Sequence, residues 1–136
     1  MSNTRFATAI HIMTLLAKDP QEWLTSDWIA GSINVNPVIV RKELGNLKKA
    51  ALVESRQGKD GGVRIRKNAE DISIAEIYEA IKSAEVLGKK NQNPNPLCAV
   101  GKDINKNLNL LFAETDGLVQ QFLSKKKLSD FTGQFD

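Results

Sequence analysis

Apolar residues recur along this chain with two different periods. From Arg5 to Ala17 the residues Phe6, Ile10, Met13, Leu16 and Ala17 fall on a helical repeat that Asp19-Pro20 closes, which predicts a first helix. Thr25-Ser-Asp-Trp-Ile-Ala-Gly-Ser-Ile33 reads as a short helix, with Thr25 or Ser26 as cap and Asp27 in the first turn, where the helix dipole favours an anion. Its apolar residues Trp28, Ile29 and Ile33 are expected to face inward. A third helix starts at Asn36-Pro37, because Asn is a strong N-cap and proline at the first helical position lacks only an N–H that would have no partner there. Val35 and Val40 are spaced as a hydrophobic staple, and Val40, Leu44 and Leu47 form the buried stripe. Val38, Arg41, Lys42, Gly45, Asn46 and Lys49 are left on the opposite face.

After Ala51 the period falls to two. Leu52–Arg56 and Val63–Arg66 alternate apolar and polar residues around Gly58-Lys-Asp-Gly-Gly62, predicting a β-hairpin with a mobile glycine-rich tip. Val63 and Ile65 point to one face, Arg64 and Arg66 to the other. Ser73-Ile-Ala-Glu76 then fits a capping box with Ile72 and Ile77 as staple, and Ile74, Ile77, Tyr78 and Ile81 supply a buried face. Residues 88–98 are polar and carry two prolines, which predicts a linker loop, bounded here as 83–99. From about Val100 to Ser124, Ile104, Leu108, Leu111, Thr115, Leu118 and Phe122 step as a heptad seam, widened by Phe112, Val119 and Leu123. So long an apolar face exceeds what the first small domain can cover, and a second copy of the chain is the simplest cover.

Three helices followed by a two-stranded hairpin make a winged helix-turn-helix. The fold class is therefore mainly α with a small β-hairpin. It divides into a winged helix-turn-helix over 1–82, the linker 83–99, and a long C-terminal dimerisation helix with its tail over 100–136.

Charge sharpens this picture. The whole chain carries 19 Lys and Arg against 16 Asp and Glu, yet residues 38–67 alone hold 9 cationic and 3 anionic side chains. A patch so concentrated points to a polyanion. In the winged-helix arrangement the start of the third helix enters the DNA major groove. Asn36, Val38, Arg41, Lys42, Asn46 and Lys49 are its candidate contacts, with Arg41 suited to guanine and Val38 to a thymine methyl. The hairpin adds Arg56, Lys59 and Arg64 for phosphates. Gly61 and Gly62 are expected to let the wing backbone bend and approach the DNA, so that alanine there costs more affinity than stability.

Catalytic and metal signatures are missing from the sequence. His11 is the single histidine and Cys98 the single cysteine, and no H-E-x-x-H, C-x-x-C or paired-carboxylate pattern occurs. A non-enzymatic protein without metal is expected. One cysteine allows no intrachain disulfide, no signal peptide is visible, and no apolar run approaches the ~20 residues a membrane span needs, so a cytoplasmic protein without membrane contact is expected. Cys98 lies at a loop-to-helix boundary near Lys89, Lys90 and Lys102. It is read either as a redox sensor with a depressed pKa or as a small, partly buried apolar residue.

The ordered set Leu24-Thr-Ser-Asp-Trp-Ile-Ala30, Val35-Asn-Pro37, Leu44-Gly-Asn-Leu-Lys-Lys-Ala-Ala-Leu-Val53, Gly58-Lys-Asp-Gly-Gly-Val-Arg-Ile65 and Asp71-Ile-Ser-Ile-Ala-Glu-Ile-Tyr-Glu-Ala-Ile81 resembles the Rrf-type family of bacterial winged-helix transcription regulators, over about residues 5–125. The resemblance implies a homodimeric regulator, usually a repressor, that binds a pseudo-palindromic operator and dimerises through its long C-terminal helix. Some relatives hold an iron-sulfur cluster on three cysteines before that helix. This chain has only Cys98 in that region, so no cofactor is expected. Val63 stands where an aromatic residue commonly follows the wing glycines. A second reading keeps the fold but makes it a protein-interaction module that does not bind DNA.

Overall fold

Side-chain caps set the starts of three of the helices. The computed structural model describes residues 3–135. Helix α1 spans Arg5–Lys18 and buries Ala9, Ile10, Ile12, Met13 and Leu16, while Phe6 and Ala17 are only partly covered. Helix α2, Ser26–Ile33, is capped by Thr25, whose hydroxyl accepts from the Trp28 N–H at 3.1 Å. The turn that follows is made by Asn34 in the left-handed region, φ 66°. Asn tolerates this conformation better than most residues.

Helix α3, Pro37–Lys49, begins as its cap predicts, with Asn36 Oδ1 accepting from the Val38 N–H at 2.9 Å. Val40, Leu44 and Leu47 are buried. The helix ends in a Schellman arrangement: the Leu52 N–H donates to the Leu47 carbonyl and the Ala51 N–H to the Lys48 carbonyl, both at 3.0 Å. Ala51 therefore sits at φ 61°, in a conformation usually left to glycine.

Strands β1, Val53–Arg56, and β2, Gly62–Ile65, pair antiparallel from Val53↔Ile65 to Arg56↔Gly62. Leu24, just before α2, adds itself to the free edge of β2: its N–H and carbonyl each bond Val63 at 2.8 Å. This edge contact corrects the reason expected for the wing glycines. A Cβ on Gly62 would lie 2.5 Å from the Leu24 carbonyl oxygen, and one on Gly61 would collide with the Arg56 carbonyl. The close approach that demands glycine is to the chain's own backbone. The tip is also braced rather than loose, since the Gly61 N–H donates to the Gly58 carbonyl at 3.0 Å and Arg56 donates to the Asp60 carbonyl.

Helix α4, Ile74–Ile81, carries the capping box between Ser73 and Glu76, and Ile72 and Ile77 are both fully buried. Helix α5, Ala99–Ser124, packs against α4. Phe112 is its buried residue, with Ile104, Leu108, Val119 and Leu123 half covered. The outer part of the seam stays open: Leu118 is 67% exposed and Phe122 61%, and Leu111 and Val100 are exposed as well. Residues beyond Ser124 turn back to form helix α6, Leu128–Thr132, against α1. The Ile74 N–H donates to the Lys126 carbonyl and the Leu128 N–H to the Ile72 carbonyl, both at 2.9 Å, so Leu128 joins the core of the first domain.

Candidate nucleic-acid interface

Packing on one side of α3 decides what its other side offers. With Val40, Leu44 and Leu47 turned inward, Val38 is 61% exposed, and Arg41, Lys42, Gly45 and Lys49 are open to solvent. Arg41 leans on the first turn of α2, its Nη1 3.4 Å from Ser26 Oγ and 4.0 Å from Asp27 Oδ1. So exposed a contact is worth well under about 1 kcal/mol and is screened by salt, which leaves the guanidinium available to a partner.

Two residues expected on this face are partly engaged elsewhere. The Asn36 side-chain oxygen Oδ1 caps α3. Asn46 is half-buried and donates its amide to Glu43 Oε1 at 3.1 Å. On the wing, Lys59 is exposed at the tip, while Arg56 and Arg64 both lie over the ring of Trp23, at 4.5 and 4.3 Å from its centroid. Arg64 Nε also donates to Glu54 at 2.7 Å. Val63 packs on the core.

Three residues outside the sequence reading shape this surface: Arg5, Glu43 and Trp23. Glu43 is only 1% exposed and lies on the inner side of α3, paired with Arg5 at the start of α1. Burial pushes its carboxyl up, but the hydrogen bonds from Arg5 and Asn46 and the charges of Arg5 and Lys42 outweigh this and hold it below the usual carboxylate range. Its position between Val40 and Leu44 on the apolar stripe was the available signal. Trp28, expected inside, is 54% exposed instead. The short α2 turns Ile29 and Ala30 to the core, and residue 28, one position earlier, faces away.

Cys98 is the N-cap residue of α5 and is exposed, which removes the buried-apolar reading. Backbone N–H groups of Gly101 and Val100 lower its thiol pKa. The His11 ring nitrogen Nε2 lies 3.0 Å from Ser32 Oγ. Among the described residues no group of three or more His, Cys, Asp or Glu gathers where a metal could bind, and no helix is long and apolar enough to cross a membrane.

A three-helix core with its second and third helices joined by a tight turn, a braced hairpin and a cationic outer face defines a winged helix-turn-helix regulator. A model of the Rrf2 family, described as an iron-dependent transcriptional regulator, matches residues 2–134, and the chain belongs to that family. YwnA of Bacillus subtilis, whose name marks it as a candidate HTH-type transcriptional regulator, is 41% identical over 130 residues, 96% of each chain. The crystal structure of a candidate DNA-binding protein, 35% identical, superposes with a TM-score of 0.73 over 93% of this chain and 97% of that one. CymR, the global cysteine regulator of B. subtilis, shares the fold at 20% identity with a TM-score of 0.72, over 100% of this chain and 98% of its own. The iron in the family description finds no donor set among the described residues: Cys98 is the chain's one cysteine, and no group of three or more His, Cys, Asp or Glu gathers among those residues. Iron chemistry is therefore not assigned to this chain.

Proposed function

We propose that the protein is a cytoplasmic, homodimeric repressor that binds a pseudo-palindromic DNA operator, one α3 per half-site, without chemistry on the DNA. The observation that supports this best is α3 itself. It is capped by Asn36 and anchored through Val40, Leu44 and Leu47, while Val38, Arg41, Lys42 and Lys49 stay exposed. Arg41 would read a guanine edge and Val38 a thymine methyl. Lys42, Lys49, Lys59, Arg56 and Arg64 would neutralise phosphates and fix the register. The open stripe of Leu111, Leu118 and Phe122 would be covered by the same stripe of a second copy, giving the two-fold symmetry that a palindromic site mirrors. Repression is the direction the family resemblance implies.

Fragments of genomic DNA recovered with the purified protein, sequenced and then titrated across salt concentrations, test the proposal. The logarithm of affinity should fall linearly with the logarithm of salt concentration as counterions are released. The competing reading, a protein-interaction module, draws on the exposed apolar residues Trp28, Val38 and Ile39. It predicts salt-insensitive binding to a protein and no recovered DNA.

A further inference from the structure

We propose that Trp23 is a positioning residue for DNA binding: its indole ring holds Arg56 and Arg64 of the wing in the orientation that meets a phosphate. The inference rests on the reading of the hairpin as a DNA-contacting wing. It starts from strand register. Leu24 pairs with Val63, so the next position of the same antiparallel pairing sets Trp23 beside Arg64, which in turn faces Glu54 on β1. Trp23, Arg64 and Glu54 thus make one row across the hairpin and the Leu24 segment bridged to its edge. The next row on the same face, two residues along, contains Arg56 opposite Gly62. Gly62 has no side chain, so Arg56 can lean across β2 and reach the same indole, where its Cζ lies 4.5 Å from the ring centroid.

Two cations on one ring repel each other, and Glu54 offsets only part of that charge through its 2.7 Å contact with Arg64 Nε. Such an arrangement gains by admitting a further anion. A guanidinium stacked on an aromatic face also keeps its donors in the plane of the group, pointing past the ring rather than into it. Arginine has large rotamer freedom, and a side chain already held on indole loses less of it when it binds. A DNA phosphate fits the charge, the donor geometry and the setting of the wing.

The test titrates a mixed-sequence DNA duplex, because phosphate contacts are independent of sequence, with thermal unfolding recorded for every variant. Replacing both Arg56 and Arg64 with Gln should lower the salt slope by about two; an unchanged slope would mean that the wing does not touch DNA and would remove the underlying reading itself. With that established, Trp23→Leu should weaken binding roughly five-fold at an unchanged slope. Trp23→Phe should recover most of the loss. Arg56→Lys with Arg64→Lys, which keeps charge and leaves Trp23 in place but lacks the planar face, should lose a similar factor. In the double Gln background Trp23→Leu should have no further effect. Wild-type affinity in the double Lys variant, or an equal loss from Trp23→Leu with and without the arginines, would overturn the proposal.

Discussion

Arg5 and Glu43 are joined at two points, Nε to Oε2 at 2.9 Å and Nη2 to Oε1 at 3.1 Å, tying the first turn of α1 to the inner side of α3. The partners differ in exposure, the Arg5 side chain at 26% and that of Glu43 at 2%. Removing one is therefore not equivalent to removing the other. Arg5→Ala strands a buried carboxylate and should cost about 3 kcal/mol at neutral pH, whereas Glu43→Ala leaves a cation that can reach water and should cost less. Urea unfolding of both variants checks the order.

The same pair sets a pH dependence. The folded-state pKa of Glu43 is depressed, so its contribution is complete above the unfolded value of about 4.3 and is lost as pH falls through the folded value. Glu43→Gln should flatten stability against pH below about 5. In Arg5→Ala the sign reverses: burial then raises the pKa, and the variant should recover stability relative to wild type as pH falls from 7 towards 5. Stability that runs parallel to wild type for Glu43→Gln below about pH 5, and for Arg5→Ala between about pH 7 and 5, would contradict the assignment.

On DNA, Arg41 and Lys49 should separate by specificity. Arg41→Ala is expected to cost about 1–3 kcal/mol on the cognate site and to relax one base position, while Lys49→Ala weakens all sequences alike and lowers the salt slope by about one. Equal loss on cognate and random DNA for Arg41→Ala would place base readout elsewhere.

Leu111 and Leu118 lie on the open stripe of α5. Glutamate at both positions should convert a dimer to monomer or make the protein insoluble, read by sedimentation. A soluble variant that still sediments as a dimer would put the interface on another surface.

Gly62→Ala should destabilise the protein by about 1–3 kcal/mol, because the new methyl meets the Leu24 backbone rather than a flexible side chain. Thermal unfolding measures this directly, and the loss of stability should exceed any loss of DNA affinity measured where the variant is still folded.

Ala51→Gly should do the reverse. It relieves a left-handed alanine at the end of α3 and should gain about 1 kcal/mol, a rise of roughly 3 °C in Tm. An unchanged or lower Tm would show that the Schellman turn holds Ala51 without strain.

What the sequence determined by itself is local. Asn36-Pro37 and Ser73-x-x-Glu76 place the starts of α3 and α4 because a cap and its N–H donors lie within three residues of each other. The switch from a helical period to alternation marks the wing, and the heptad seam marks α5, since each period is a property of one segment's own geometry. The cationic outer side of α3 follows from its buried stripe in the same way. Only the tertiary structure decided that Glu43 meets Arg5 across 38 residues, that Trp23 lies under two wing arginines, and that α6 returns to α1, where Lys18 reaches the Phe135 carbonyl across 117 residues. It also decided that Trp28 faces solvent and that Gly62 is required by Leu24. An apolar ring, a glycine or a lone carboxylate in one segment carries no record of which distant backbone or charge will lie beside it. That neighbour is set when the helices and the hairpin pack, and the loop-closure entropy of bringing them together is offset by burial shared across the whole core.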